Sequence, residues 1–291
     1  MDMKTRTLTT TIDSDEKPKV LDVLSHLTDL SREQIEEALW KGALWLRRKG
    51  RPGERLRNGS VRLRRGDRLE LHYDESVLAR VPPEATLVDD RQGYSVWYKP
   101  PGLLTQGTRQ GDHCSLMRQV ELFFTPPRKV HPIHRLDREV GGLLVAAHNR
   151  ECAAAFSKLI EQGGLEKEYR AEVRGNPGRE GERGRIDHPL NGKRASTRFR
   201  VIAYDRELDT ARVALTIETG RLHQIRRHLA MEGFPVMGDP RYGRRNKNRE
   251  GLRLEACSLR FTCPLEGRKK TYCLPNLYSS SSPEIAFLCD D

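Results

Sequence analysis

The chain sets one aspartate among arginines and histidines in the stretch His131-Pro132-Ile133-His134-Arg135-Leu136-Asp137-Arg138-Glu139-Val140-Gly141-Gly142. The apolar run that follows, residues 143–147, is typical of a buried strand, and the two glycines mark the turn into it. Neighbouring cations favour the ionised form of Asp137, which would make its carboxylate available as a nucleophile or an electrostatic partner. From the residues alone, the alternative is a turn aspartate that caps backbone groups before the strand.

Three other segments occur in a fixed order around this stretch. They read Tyr98-Lys99-Pro100-Pro101-Gly102-Leu103, Lys167-Glu168-Tyr169-Arg170-Ala171, and Thr219-Gly220-Arg221-Leu222-His223-Gln224-Ile225-Arg226-Arg227-His228-Leu229 followed by Gly238-Asp239-Pro240-Arg241-Tyr242-Gly243. Together with His134-Arg135-Leu136-Asp137, they resemble the motifs of the RluA-type RNA pseudouridine synthases over roughly residues 85–275. The chain departs from that family at Val140-Gly141-Gly142, where Thr-Ser-Gly is usual.

The resemblance implies catalytic roles for Asp137, Tyr169 and Arg221. Asp137 matches the family's catalytic aspartate, which acts in the first step as a nucleophile or as a base. Arg221 matches the arginine that pairs with it, and Tyr169 matches the aromatic residue that contacts the flipped base and handles the C5 proton. Substrate contacts are implied for the following residues: Arg135, His134, Leu222 and Ile225.

The resemblance implies no cofactor, because the isomerisation involves neither redox change nor hydrolysis. No metal site is predicted either. His131 and His134 are three residues apart, but no third ligand is spaced to join them, so hydrogen bonding within the loop is the favoured interpretation. Six cysteines are scattered without a CxxC pair, which predicts neither a zinc site nor a disulfide framework.

The N-terminal part of the chain predicts two short helices followed by two basic strands, at 61–64 and 68–73. An apolar face begins at Val20, and Ser31 with Gln34 forms a capping box for the second helix. This order resembles the S4 RNA-binding module found ahead of many of these synthases. The phosphate-facing candidates are Arg32, Lys41, Arg47, Arg48, Lys49, Arg62, Arg64 and Arg65. A solvated charged face is the alternative for such a set.

Val81-Pro82-Pro83 predicts a linker, because consecutive prolines stiffen the chain and stop regular structure. We therefore divide the chain into a flexible N-terminus at 1–16, an S4-like RNA-binding domain at 17–80 and a catalytic domain at 81–291. The resemblance implies an α+β protein, with a pseudouridine synthase fold built on a mixed, mainly antiparallel sheet flanked by helices.

Three further elements are predicted within the catalytic segment. Asn149 is predicted to cap a helix that ends at Gly163-Gly164. The run 174–194 is rich in glycine and arginine without an apolar period, and indicates a surface loop or short hairpin that offers a second RNA contact. A helix is predicted to begin at Thr219, with Leu222, Ile225 and Leu229 on one face and Arg226 elsewhere.

Composition limits the partners of the chain. Lys and Arg number 52 against 41 Asp and Glu, which gives a net charge of +11, and 36% of the residues are hydrophobic. Excess positive charge favours a polyanion, of which nucleic acid is the commonest. The N-terminus has no apolar core for a signal peptide and no segment is long enough to span a membrane, so a cytoplasmic location is expected. A monomer is the family's default.

The predicted function is isomerisation of specific uridines in ribosomal or transfer RNA to pseudouridine, with Asp137 as the catalytic aspartate. One alternative is an S4-type RNA-binding protein with impaired catalysis, although the retention of Tyr169 and Arg221 argues against it. A second alternative pairs Asp137 with Glu139 as in a glycoside hydrolase. An i, i+2 pair on a strand points to opposite faces, which makes this interpretation weak.

Overall fold

The computed structural model describes residues 5–243, 246, 248 and 250–275. The chain forms two compact units, one made of Met1–Pro83 with Gln106–Phe123 and the other of Glu84–Thr105 with Phe124–Asp291. Residues 106–123 thus belong to the first unit, although the sequence prediction placed them in the catalytic segment. The end of the predicted catalytic segment, 276–291, lies outside the described residues.

The first unit carries a small sheet beside two helices. Its elements are β1 (Thr5–Thr11), α1 (Val20–Leu27), α2 (Arg32–Trp40), β2 (Leu44–Arg47), β3 (Glu54–Arg55), β4 (Arg68–Asp74), α3 (Glu75–Leu78) and, after the start of the second unit, α4 (Leu116–Phe123). The strand order is β1-β4-β2-β3. The core is aliphatic, with Leu24, Ile35 and Leu44 among its buried members.

The N-terminal segment differs from the flexible end predicted over 1–16. Residues 5–11 pair in register with β4, from Thr5 opposite Asp74 to Thr11 opposite Arg68. Leu8 packs against the core, and this contact, added to the ladder of backbone hydrogen bonds, orders a sequence that is otherwise polar. Residues 1–4 of that prediction lie outside the described residues.

The capping box predicted for the second helix is confirmed. The Ser31 hydroxyl accepts from the Gln34 N–H at 3.3 Å, and the Gln34 side chain accepts from the Ser31 N–H at 2.8 Å. The strand predicted at 61–64 is not formed. Only an isolated bridge between Lys19 and Arg62 is found there.

The second unit is built on one large sheet. Its elements are β5 (Thr86–Asp90), β6 (Tyr94–Lys99), β7 (His131–Pro132), β8 (Gly141–Ala147), α5 (Arg150–Glu161), β9 (Leu165–Arg174), β10 (Arg183–Ile186), β11 (Thr197–Asp205), β12 (Thr210–Ile217), α6 (Gln224–Met231), β13 (Leu254–Thr262) and β14 (Lys269–Cys273). The order is β10-β11-β12-β9-β13-β8-β6-β5, with β14 beside β13 and β7 beside β8. Only β8 and β13 pair in parallel among the described strands, which confirms a mixed, mainly antiparallel sheet.

Helix α5 fixes the position of β8 from one side. The Asn149 side chain accepts from the Cys152 N–H at 2.7 Å and so begins the helix. Phe156 of α5 then contacts the rings of Tyr94 and Phe261 edge-on, at centroid distances of 5.1 and 5.3 Å. Such edge-to-face contacts form a rigid core beside Ala147, at the end of β8 opposite to the loop that carries Asp137.

Strand β13 joins the two parts of the sheet that carry the predicted catalytic residues. Ala256 lies opposite Gly142 of β8 on one side and opposite Tyr169 of β9 on the other. The loop that precedes β8 contains Asp137. The sheet therefore brings Asp137 and Tyr169 to the two flanks of one strand.

None of the helices in the described part of the chain is long and apolar enough to cross a bilayer.

Candidate active site

The loop before β8 is held so that Asp137 projects from a fixed turn. The Thr105 hydroxyl donates to the Leu136 carbonyl at 2.8 Å and accepts from the Leu136 N–H at 3.1 Å. The Val140 N–H closes the turn onto the Asp137 carbonyl at 3.2 Å. Leu136 is buried, whereas the neighbouring Asp137 side chain retains 16% of its exposure. Its carboxylate is thus presented to a cavity rather than to bulk water.

Lys99, at the end of β6, holds the same loop through hydrogen bonds to backbone carbonyls. Its ammonium is fully buried and donates to the carbonyls of Leu103 at 2.8 Å, Pro100 at 3.1 Å and Arg138 at 3.4 Å. Burial lowers the pKa of Lys99 to about 7, although the charges of Asp137 and Glu139 oppose that shift. Lys99 thus shapes the loop by tying three backbone segments together.

Arg226 on α6 is the arginine that reaches Asp137. Its guanidinium is buried, with Nη1 3.3 Å from Asp137 Oδ2 and 3.4 Å from Glu139 Oε2. The other edge is held by Asp239, with Nε to Oδ2 at 2.8 Å and Nη2 to Oδ1 at 2.9 Å. Burial alone would lower the pKa of Arg226, but the hydrogen bonds and charge of Asp239, with those of Asp137, raise it. A bidentate carboxylate fixes the plane of the guanidinium, so the nitrogen facing Asp137 has one orientation.

Asp239 is the buried anchor of this arrangement. Besides the guanidinium, it accepts the backbone N–H groups of Arg241 at 2.8 Å and Tyr242 at 3.0 Å. Burial would raise the pKa of Asp239, but the Arg226 hydrogen bonds and those backbone bonds lower it below its usual value. The carboxylate therefore remains an anion although it is fully buried.

Arg221, predicted to pair with Asp137, forms no ion pair with it among the described residues, and this prediction is corrected to Arg226. The reason lies in where α6 begins. His223 has a left-handed backbone, with φ of 53°, so the chain turns there and α6 starts at Gln224 rather than near Thr219. Arg221 lies before that turn, is exposed, and donates from Nε to the Arg194 carbonyl at 3.1 Å.

Tyr169 of β9 lies on the far side of the same cavity. Its ring is buried, and burial together with the negative charge of Asp137 raises the pKa of the Tyr169 phenol well above its usual value. The phenol therefore carries its proton at neutral pH.

The cavity has a volume of about 280 Å³. It brings together most of the residues predicted from the sequence, and its lining includes Asp137, Tyr169, Arg221, Arg135, Leu222 and Ile225. Leu222 is 56% exposed, whereas Ile225 is only 5% exposed because it packs into the unit from α6. No group of three or more His, Cys, Asp or Glu side chains is arranged for a metal ion in the described part of the chain.

Comparisons with known proteins identify the family of the chain. The family model described as RNA pseudouridylate synthase matches residues 93–231. A tRNA pseudouridine synthase C from Haemophilus ducreyi is 34% identical over 223 residues, which are 60% of this chain and 83% of that protein. The chain belongs to the RluA-type RNA pseudouridine synthases.

Two other relatives place the synthase within the family. A ribosomal large subunit pseudouridine synthase D from Nitrosomonas europaea is 33% identical over 191 residues, covering 59% of this chain and 53% of that protein. The solved structure of human RNA Pseudouridylate Synthase Domain Containing 1 matches with a TM-score of 0.57 at 23% identity, over 72% of this chain and 94% of that chain. The structural likeness shows a shared fold, and the synthase is an isomerase that acts on RNA.

His223 is a second residue of the synthase that the sequence analysis did not assign. Its Nδ1 lies 2.9 Å from the Tyr242 hydroxyl, and its Nε2 lies 3.8 Å from Asp137 Oδ2. Burial, followed by the positive charge of Arg226, lowers the pKa of His223, while Asp137 opposes the shift. A neutral imidazole therefore faces the catalytic loop beside Arg226.

His134, predicted as a substrate contact of the synthase, makes a structural contact with the strand that follows the loop. Its Nε2 accepts from the Val145 N–H of β8 at 3.2 Å. Burial lowers the pKa of His134 to about 3, so the ring stays neutral. The imidazole holds the loop against the strand that follows it.

Gly141, which stands where the family usually has Ser, has little space around its Cβ position. A Cβ at this position would lie 3.1 Å from Pro101 Cδ and 3.3 Å from the Tyr98 hydroxyl. Both distances are tighter than ordinary carbon contacts. The side chains of Tyr98 and Pro101 therefore occupy the space that a larger residue would need.

The basic candidates in the first unit of the synthase fall into two groups. Five have acidic partners: Arg32 with Glu36 at 3.1 Å, Lys41 with Glu37 at 2.5 Å, Arg47 with Glu70 at 2.8 Å, Arg48 with Asp67 at 3.4 Å, and Arg65 with Asp13 at 2.9 Å. Lys49, Arg62 and Arg64 are exposed and have no ion pair among the described residues. Their charges are the least compensated of the eight.

Proposed function

We propose that the synthase isomerises uridines within folded ribosomal or transfer RNA, and that Asp137, Arg226 and Tyr169 carry the reaction. The observation that carries this proposal is the buried Arg226 guanidinium, which Asp239 fixes in position and which donates to Asp137 at the wall of the cavity. The named relatives act on a transfer RNA and on the large ribosomal subunit, which supports these two substrate classes.

The reaction breaks the bond from uracil N1 to ribose C1′ and forms a bond from uracil C5 to C1′. C5 loses a proton and N1 gains one, so the overall change is an isomerisation. Because the target atom is inaccessible in a stacked helix, the uridine must first be flipped into the cavity. A volume of about 280 Å³ suits one nucleoside rather than a longer segment, since small-molecule pockets begin at roughly 300 Å³. Asp137 then acts on the ribose, either by attack at C1′ or by removal of a ribose proton.

Arg226 positions this carboxylate and favours its charged form. Asp239 already fixes the guanidinium, so its remaining nitrogen is directed at Asp137 before the reaction starts. The Arg226 side chain therefore loses no further rotamer freedom during the reaction. His223 borders the same carboxylate at 3.8 Å as a neutral ring. Because His223 is neutral, Asp137 forms an ion pair with Arg226 but not with His223, and its carboxylate can approach the ribose.

Tyr169 contacts the flipped base and takes part in the removal of the C5 proton. Its raised pKa means that the phenol must lose its own proton before it can accept another. The negative charge of Asp137 contributes to the raised pKa of Tyr169. Loss of the phenol proton in the second half of the reaction therefore depends on Asp137. Arg135 and Arg221 line the cavity as exposed cations and are suited to the phosphates on either side of the flipped uridine.

Residues 17–80 act in this proposal as an S4-like RNA-binding domain ahead of a catalytic domain. Arg62 and Arg64 are its best phosphate contacts, because no acidic side chain among the described residues neutralises them. We further propose that the synthase works as a monomer in the cytoplasm, without a cofactor.

The decisive experiment measures tritium release from RNA labelled at uridine C5, with separate transfer and ribosomal RNA pools. Wild type is expected to release tritium from at least one pool, and Asp137→Asn from neither, while the affinity of the variant for RNA stays close to that of wild type. The amide keeps the shape of the side chain but removes the charge that Arg226 orients. A folded Asp137→Asn protein that loses RNA binding to the same extent as turnover would contradict the assigned role.

A further inference from the structure

Four arginines share one face of the β10–β11 hairpin. In the pairing register, Arg183 lies opposite Arg200 and Arg185 lies opposite Arg198. Residues directly opposite each other in an antiparallel pair project to the same side, and so do residues two apart along a strand. The four side chains therefore form two adjacent rungs, here called the arginine ladder.

The arginine ladder lies on the side of the sheet opposite the active site. Between its rungs, Gly184 pairs with Phe199, Phe199 pairs with Leu215, and Leu215 pairs with Tyr169. This row shares the face on which Tyr169 meets the cavity. Because side chains alternate along a strand, the arginines on either side of the row point the other way.

Acidic residues compensate only part of this charge. Arg185 Nε is 2.8 Å from Asp187 Oδ2, and Arg198 Nη2 is 2.5 Å from Glu218 Oε1. Arg183 and Arg200 are exposed and form no ion pair with any described residue. Like charges placed directly opposite each other weaken a strand pair, so the Arg183–Arg200 rung costs stability unless an anion binds there.

The shape of this surface also suits a ligand. The four arginines line a groove of about 570 Å³ together with Ala214 and Thr216 of β12 and Glu168 of β9. Glu168 lies 3.7 Å from Arg260, and the small side chains of Ala214 and Thr216 leave the guanidinium groups free to meet a ligand lying across the strands. β10 is the edge strand of the sheet, which leaves the groove open on that side.

We propose that the arginine ladder binds the phosphate backbone of a part of the RNA substrate that does not enter the active site. This inference rests on the proposed function, which supplies the polyanion. Guanidinium forks match phosphate oxygens, and two rungs spaced two residues apart present them about 6.6 Å from each other along the strands. A folded RNA that contacts both faces of the sheet must pass around the β10 edge, so the ladder selects for folded RNA over a short single strand.

The test compares Arg183→Gln/Arg200→Gln with a matched double variant, Arg150→Gln/Arg206→Gln. Arg150 and Arg206 are also exposed, lie in the same unit and form no ion pair among the described residues, so each variant loses two charges. Binding to bulk transfer RNA and to bulk ribosomal RNA is measured over a range of salt concentrations. Affinity falls as salt rises, and each lost phosphate contact makes the slope of log affinity against log salt less steep by about 0.7–0.9.

We expect the ladder variant to bind several-fold more weakly at moderate salt, with a slope that is smaller by about 1.4–1.8, while the matched variant stays close to wild type. Tritium release at saturating RNA should be unchanged, because the ladder lies away from Asp137. Thermal melting of the ladder variant should be no lower than that of wild type, since a like-charge pair has been removed.

Equal slopes and affinities for the two variants would overturn the proposal. So would a ladder variant that loses affinity for poly-glutamate but keeps its affinity for both RNA pools, because that result would indicate an acidic protein partner. Wild type that binds RNA but releases no tritium would refute the proposed function, and the two slopes would still decide the role of the ladder. Wild type that binds neither pool would refute both.

Discussion

Arg226 is shared among three carboxylates, and its contacts differ in kind. Asp239 takes two short hydrogen bonds from one edge of the guanidinium, whereas Asp137 and Glu139 lie at 3.3 and 3.4 Å from one nitrogen on the other edge. The first partner holds the arginine, and the longer contacts leave Asp137 able to move towards the ribose. Geometry of this kind requires a planar fork rather than a single charged nitrogen.

Arg226→Lys should therefore lower tritium release by about tenfold or more, because an ammonium keeps the charge but cannot serve Asp239 and Asp137 together. The free energy of unfolding should fall by about 1–3 kcal/mol, since the buried Asp239 loses part of its hydrogen bonding. Urea unfolding and single-turnover kinetics measure the two effects. Arg221→Lys is the matched control and should retain near-normal stability. A loss of turnover in the control alone would restore the original assignment of Arg221.

The sequence contained a signal for Arg226 that was not used. Leu222, Ile225 and Leu229 stand at i, i+3 and i+7, and Arg226 occupies i+4, which belongs to the same face of a helix. An arginine on an apolar face must have a buried acidic partner. Asp239 supplies it, but nothing in the sequence pattern links these two positions. The prediction of Asp137 and Tyr169 in one cavity came from the family motifs, and their positions in the structure agree with it.

Lys99 gives a prediction about pH. Its pKa in the folded protein is about 7, whereas the ordinary value is 10.5, so between these pH values the unfolded chain binds a proton that the folded chain does not. Stability rises with pH wherever the unfolded state binds more protons. The free energy of unfolding of wild type, relative to Lys99→Met, should therefore increase as pH rises from about 7 towards 10, and should be constant below about 6. Urea unfolding at several pH values measures it, and a flat difference would show that Lys99 titrates normally.

At the level of elements, local signals in the sequence identified several helix starts. The Ser31 capping box and the Asn149 cap are formed as predicted, because each depends on residues within one turn of the chain. The start of α6 was placed too early. Its position depends on the left-handed His223, whose ring bonds to Tyr242, nineteen residues further on, and a local pattern carries no information about that contact.

The pairing of β8 with β13 depends on Gly142. This residue has φ of +131°, and a Cβ built on it would lie 2.3 Å from the Ala256 carbonyl oxygen and 2.6 Å from the Ala256 nitrogen. Gly142→Ala should therefore lower the free energy of unfolding by about 3 kcal/mol or more, through backbone strain and steric overlap together. Gly163→Ala is the matched control, because Gly163 has φ of +73° with nothing within 4 Å of its Cβ position. It should cost about 1 kcal/mol, from strain alone. Equal losses in the two variants, measured by urea unfolding, would show that the contact with Ala256 is unimportant.

For the whole molecule, composition indicated a polyanionic partner through a net charge of +11, and the structure separates basic residues that are paired from those that are not. In the first unit, Arg62 and Arg64 lack acidic partners among the described residues, whereas Arg32 is paired with Glu36. The i, i+4 spacing of Arg32 and Glu36 on a predicted helix indicates that pair from the sequence, whereas the lack of partners at Arg62 and Arg64 depends on the fold.

Arg62→Gln/Arg64→Gln should weaken RNA binding and reduce the salt slope by about one for each arginine removed, with little change in tritium release at saturating RNA. Arg32→Gln is the control and should have a smaller effect, because the charge it removes is already partly neutralised by Glu36. Filter binding over a salt series measures both. A larger effect for Arg32→Gln would assign the RNA-facing surface to α2.

The sheet order makes assembly of the site depend on β13, a strand that lies late in the chain. The strands that carry Tyr169 and the strands that follow Asp137 are connected through β13 alone along the main path of the sheet. Protein synthesis proceeds from the N-terminus, and domains fold as their segments become available. While the ribosome is still translating the codons before Leu254, Asp137 and Tyr169 have no strand to hold them together. We therefore expect a nascent chain to carry both residues without an assembled active site until β13 has emerged, so that turnover begins only after this strand has been made.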